Sequence, residues 1–139
     1  MCVSDDGRLL VDGLNVLGSR PDGWWRDREA AFGRLIAELQ PLAARRSGPV
    51  IVVVEGRAGA AIPPGRHGDV EVVHAQRRGR DAADDRIVSM VATPPRSTTH
   101  GRPHDTVVTA DRALIDRVRE LGAEVLGPAT LLRQLDVPD

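Results

Sequence analysis

The chain has 139 residues, 41% of them hydrophobic, and a net charge of −1, a length near the commonest size of one domain. No apolar run approaches the ~20 residues of a membrane span. Asp5, Asp6 and Arg8 interrupt the N-terminus before a signal peptide's apolar stretch can form, and Cys2, the single cysteine, excludes an intrachain disulfide or a cysteine-based zinc cluster. The expectation is one domain over residues 8–136 with short tails at 1–7 and 137–139, cytoplasmic, without a membrane partner. A net charge near zero gives no bulk attraction for nucleic acid, although all 19 basic residues are Arg, whose planar fork suits phosphate.

Residues 8–12 (RLLVD) are an apolar run ending in an acid and predict a first strand. A loop through Gly18, Pro21 and Gly23 is expected next, with Gly13 permitting a tight turn. From about Asp27 a helix is expected, because Phe32, Leu35, Ile36, Leu39, Leu42 and Ala43 recur at three- and four-residue spacing. Pro41 should kink or end it. Residues 50–54 (VIVVV) read as a strand buried on both faces, residues 56–68 as a Gly/Pro/Ala-rich loop, and residues 70–74 (VEVVH) as a third strand.

Residues 81–92 predict a helix carrying Ile87, Val88 and Val91, and 93–104, with three prolines, a loop. A fourth strand at 106–108 and a helix at 112–121 stopped by Gly122 follow. A short strand at 124–126 and a helix opened by Pro128 complete the chain. Strands alternating with helices predict a Rossmann-like α/β fold, a three-layer sandwich with a mainly parallel sheet of about five strands.

Asp12, Glu55, Asp84 and Asp111 fall where strands end or helices begin, positions that converge on one edge of such a sheet. At ~4 Å and an effective dielectric of ~20, each like-charged pair costs roughly 4 kcal/mol. A divalent cation relieves this, and Mg²⁺ or Mn²⁺ suits carboxylate ligands. Taken singly the acids have plainer explanations. Asp12-Gly13 is a common turn pair, and Asp111 would suit the first turn of a helix whose N-cap is expected at Thr109. Glu55 alone is ambiguous.

Asp84 is sharper, since it shares the apolar stripe of Ile87, Val88 and Val91, where an unpaired carboxylate is expensive. Asp81 reads as a capping acid and Asp85 as either ligand or solvated acid, while Asn15 offers an amide toward Asp12. Together the acids suit a two-ion site that activates water and stabilises the leaving oxygen in phosphodiester cleavage. Arg77, Arg78 and Arg80 could grip phosphates flanking the scissile bond or form a solvated loop. Trp24 and Trp25 could stack on unpaired bases or, more simply, cap the core.

Asp12-Gly13-Leu14-Asn15, the acid after the Val-rich second strand, Ala83-Asp84-Asp85-Arg86-Ile87 and Val108-Thr109-Ala110-Asp111-Arg112 resemble the motifs of NYN-domain ribonucleases. The resemblance is to their YacP-like branch, within the PIN-like nuclease group, and runs roughly over residues 8–135. It implies a PIN-type fold and a Mg²⁺- or Mn²⁺-dependent endoribonuclease acting on RNA, single-stranded and in some YacP-like proteins ribosome-associated. Carried over, Asp12, Asp84 and Asp111 are metal-binding catalytic acids, supported by Asn15 and Thr109. Glu55 stands where the family often has Asp. Three other readings stand beside it: a non-catalytic RNA- or protein-binding module of this fold, a toxin-type PIN ribonuclease, and a small-molecule phosphatase. The phosphatase lacks a glycine-rich phosphate loop here.

Overall fold

The computed structural model of the chain describes residues 7–20, 23, 26–54, 62–75, 82–92 and 105–135. The elements run β1 (Leu9–Asp12), α1 (Gly13–Gly18), α2 (Arg28–Arg45), β2 (Val50–Val54), β3 (Gly65–His67), β4 (Val70–His74), α3 (Ala82–Ala92), β5 (Thr106–Val108), α4 (Arg112–Glu120), β6 (Glu124–Leu126) and α5 (Pro128–Leu135). The strands form one 6-stranded sheet in the order β3-β4-β2-β1-β5-β6, parallel except where β3 pairs with β4. This is the α/β sandwich with a mainly parallel sheet expected from the sequence, with one strand more.

Successive side chains of a strand point to opposite faces, and here both faces are covered. Leu9, Val11, Val50, Val52 and Val54 pack with Phe32, Leu35 and Leu39 of α2 and Leu131 of α5. Leu10, Ile51, Val53 and Val107 meet Ile87 and Val91 of α3 and Leu114 and Val118 of α4. With no solvent face, VIVVV has no polar residues to alternate. No helix among the described residues is long and apolar enough to cross a membrane.

Four local expectations are corrected. Residues 13–18, read as turn and loop, form α1, which Asp12 caps by accepting from the Asn15 amide. Three apolar residues in one and a half turns (Leu14, Val16, Leu17) are too few for helical periodicity to register. Pro41 does not end α2, which continues to Arg45. Pro41 is exposed, whereas Leu42 and Ala43 beyond it are buried on the core, and Arg46 N donates to Leu42 O. One missing donor near the helix end is thus outweighed by burial.

The stretch read as a loop at 56–68 contains β3, whose sequence Gly-Arg-His carries no strand signal. It is held by β4 and by Gln40 of α2, which donates to His67 O at 2.6 Å and accepts from Asp69 N at 2.9 Å. Finally, the N-cap of α4 is Asp111 rather than Thr109. The loop expected at 93–104, the two tryptophans, Glu55, Asp81 and the Arg77, Arg78 and Arg80 cluster lie outside the described residues.

Candidate active site

From β1 the chain crosses to β2 and β4 on one side and later to β5 and β6 on the other, so the order reverses between β1 and β5. Crevices outside the carboxyl ends of strands at such a reversal are the habitual ligand sites of open α/β sheets. One opens here, of about 450 Å³, and its wall includes Asp12, Asn15, Asp84 and Asp111.

Asp12 ends β1 and sits only 4% exposed. Its Oδ1 accepts from the Asn15 backbone amide at 3.4 Å, and its Oδ2 from the Thr109 hydroxyl at 3.1 Å. Burial pushes its carboxyl up from the ordinary 3.8 to about 6; those two hydrogen bonds oppose the rise, and the negative Asp111 nearby adds to it. The turn into α1 demands glycine at position 13. A Cβ there would lie 2.5 Å from Phe32 Cε1 and 2.9 Å from the Val53 carbonyl oxygen.

Thr109, 1% exposed, follows β5 and serves both acids. Its hydroxyl donates to Asp12 and accepts from Asp111 N at 3.1 Å. Asp111 Oδ1 accepts from Leu114 N at 3.2 Å, capping α4 at the rim of the crevice. Asn15 crosses the gap: its Oδ1 accepts from Ala110 N at 2.8 Å, tying the start of α1 to the β5–α4 turn. Asp84 reaches the same crevice from the first turn of α3 and is half-buried.

The crevice therefore gathers Asp12, Asn15, Asp84, Asp111 and, behind Asp12, Thr109. It does not gather Asp85, which pairs instead with Arg117 of α4 at 3.1 Å on a partly exposed surface. Thr109 touches both acids, in keeping with the supporting role that the motif resemblance implies, while the capping of α4 falls to Asp111. Its signal in the sequence is its place directly after the β-branched β5, two residues ahead of an acid.

Among the described residues no three His, Cys, Asp or Glu side chains come together closely enough to hold a metal ion. The donor set nevertheless fits a hard divalent cation, its acids being the carboxylates of Asp12, Asp84 and Asp111. Mg²⁺ commonly takes only one or two carboxylates and completes its shell with water and substrate phosphate. A buried carboxyl whose pKa is raised by burial and a neighbouring acid is also the group a nearby cation would most favour ionising.

Crystal structures of Rae1 (YacP) from Bacillus subtilis share this architecture. A point mutant of that protein matches with a TM-score of 0.73 and 24% identity over 94% of this chain and 75% of that one. A second structure matches with a TM-score of 0.71 and 24% identity over 98% and 74%. The chain thus has a YacP-like fold. No protein-family model matches the sequence, and no curated protein does.

Proposed function

We propose that the chain is a Mg²⁺- or Mn²⁺-dependent endoribonuclease that hydrolyses phosphodiester bonds of single-stranded RNA in the crevice between β1 and β5, in the cytoplasm. The observation that carries this reading is the buried Asp12, oriented by Thr109 and the Asn15 amide and sharing one crevice with Asp84 and Asp111. The YacP-like fold and the motif resemblance of residues 8–135 support it.

In this reading the cation would be held by carboxylates drawn from Asp12, Asp84 and Asp111, with Glu55 a further candidate, and its shell completed by water and substrate phosphate. When bound, the cation supplies an acidified water and positive charge for the phosphoryl oxygens. The chain's own residues do the rest. Thr109 fixes the Asp12 carboxylate in one orientation, so no reorganisation is needed as charge develops. Burial removes Asp12 from competing water and strengthens its interaction with any positive group. Asn15 keeps the walls contributed by β1 and β5 at constant separation. Arg77, Arg78 and Arg80 are proposed to hold phosphates beside the scissile bond.

The test is cleavage of a mixed-sequence single-stranded RNA with Mn²⁺, Mg²⁺ or EDTA, by wild type and by Asp12→Asn. Metal-dependent products that vanish in the variant support the nuclease. Equal cleavage by the variant removes the crevice from the reaction. RNA binding without cleavage in either metal would favour the non-catalytic module, the reading that best suits the absence of a three-ligand cluster among the described residues.

A further inference from the structure

The crevice is rich in acceptors, yet a phosphodiester also presents acceptors. Its described side chains offer three carboxylates, aliphatic carbon, the Ser19 hydroxyl and the Asn15 amide. The Ser19 proton is committed to Val16 O at 2.7 Å. One side-chain donor on that wall is therefore left, the Asn15 Nδ2.

Which end of an Asn amide faces which way is ordinarily assigned rather than seen. Here the partner decides it. Ala110 N can only donate, so the atom 2.8 Å from it must be Oδ1. The oxygen is held, and the NH₂ group at the other end of the same planar amide makes no hydrogen bond among the described residues. The Asn15 backbone is also fixed, because its amide donates to the Asp12 carboxylate that caps α1.

We infer that Asn15 is a substrate-binding residue whose Nδ2 donates to a non-bridging phosphoryl oxygen of the RNA strand, rather than a ligand or supporter of the metal. This rests on the nuclease reading and specifies how its substrate is gripped. A neutral donor suits the position. It adds no charge to the acids it stands among, and it places the phosphate by geometry while Coulomb attraction comes from elsewhere.

The experiment follows the Asn15 side-chain NH₂ signals of the ¹⁵N-labelled protein by NMR. A short mixed-sequence single-stranded RNA is titrated in, with Ca²⁺ replacing Mg²⁺ to slow hydrolysis. The NH₂ signals should shift and saturate together with the backbone amides of Leu14 and Ala110. Two variants complete the test. Asn15→Asp keeps an oxygen for Ala110 N but loses the donor; Asn15→Ala loses both without adding charge. Each should bind the RNA about tenfold or more weakly, the scale of a hydrogen bond to a charged group, and each should still unfold in one cooperative thermal transition.

Shifts at Leu14 and Ala110 with unmoved Asn15 NH₂ signals would overturn the inference and leave the nuclease standing. So would weaker binding by Asn15→Asp alone, since that would be charge repulsion. No shift anywhere in the crevice, with no RNA cleavage, would remove the nuclease reading and this inference with it.

Discussion

Replacing Asp12 by Asn should stabilise the metal-free protein at neutral pH. The carboxyl titrates at about 6 in the fold against 3.8 ordinarily, a difference of roughly 2 units, or about 3 kcal/mol at 1.36 kcal/mol per unit. The sign follows from proton binding. Between those two values the native state holds the proton and the unfolded chain does not, so stability falls as pH rises through the window. Above it the full penalty of an ionised, buried Asp12 is present, and below 3.8 it is absent.

Asn carries no such penalty, but its NH₂ cannot accept the hydrogen bond that one Asp12 oxygen accepts now, which forfeits about 1 kcal/mol. The net expectation is about 2 kcal/mol, or roughly 7 °C in Tm for a domain of this size. Thermal melts in EDTA at pH 8 and pH 4 measure it: the variant should lead at pH 8 and lose that lead by pH 4. Saturating Mn²⁺ at pH 8 should then raise the wild-type Tm and leave the variant's nearly unchanged, because only the wild type gains binding energy on folding. A variant less stable than wild type at pH 8 without metal, or a lead that persists at pH 4, would refute the account of Asp12 as a carboxylate buried at a net cost.

Three further substitutions probe the frame around that acid. Gly13→Ala places a methyl against the Phe32 ring and the Val53 carbonyl, and it should cost about 1–3 kcal/mol by overpacking, read as a lower denaturant midpoint at unchanged m. Thr109→Val keeps the shape but strips Asp12 of a donor and Asp111 N of an acceptor; about 1–3 kcal/mol should be lost, and the Asp12 carboxyl should titrate above 6 by ¹³C NMR. Arg8→Leu leaves Asp105, 8% exposed, without its two-point partner. A loss of about 3–5 kcal/mol is expected, and the Arg8→Leu, Asp105→Leu double variant should recover most of it in the same urea melts.

The parts of this fold that a reader of the sequence can find are those where one physical force acts alone. VIVVV and the heptad-like run from Phe32 to Ala43 are driven by burial, and burial leaves a pattern. The 13–18 helix and the Gly65–His67 strand depend on packing and pairing with other elements: α1 on α2, β3 on β4 and Gln40. No local pattern announces such support. The acids show the same division. Asp12, Asp84 and Asp111 were visible because charges at the ends of apolar runs are costly, and the structure brings all three to one crevice. Asp85, outside the apolar stripe that holds Asp84, could be read as ligand or solvated acid; it turns to Arg117, a partner supplied by the position of α4 that the chain around residue 85 does not encode. Of the two roles expected of Thr109 only the cap is wrong: a hydroxyl before a helix is ordinarily its cap, whereas the neighbouring Asp111 does that here and Thr109 holds Asp12.

Such a site requires that β1 and β5 not slide past one another, since a slip of one residue would turn Asp12 away from Thr109 and flip every strand side chain to the wrong core. The pairing is pinned at both ends. At the amino end Arg8 binds Asp105 through Nε at 3.0 Å and Nη2 at 2.7 Å, and donates to Met90 O at 2.8 Å. The Thr106 amide adds a bond to Arg8 O at 2.9 Å. At the carboxyl end the Thr109–Asp12 hydrogen bond and the Asn15–Ala110 link do the same. Between them, Leu10 opposite Val107 and Val11 opposite Val108 are fully buried. Apolar pairs tolerate small shifts and ionic forks with fixed geometry do not, so the Arg8–Asp105 fork supplies register that the core cannot. The charge pair at the amino ends of the two strands and the carboxylate at their carboxyl ends thus belong to one mechanical unit, β1 against β5, and the acid's cost is borne by the same two strands that hold it in place.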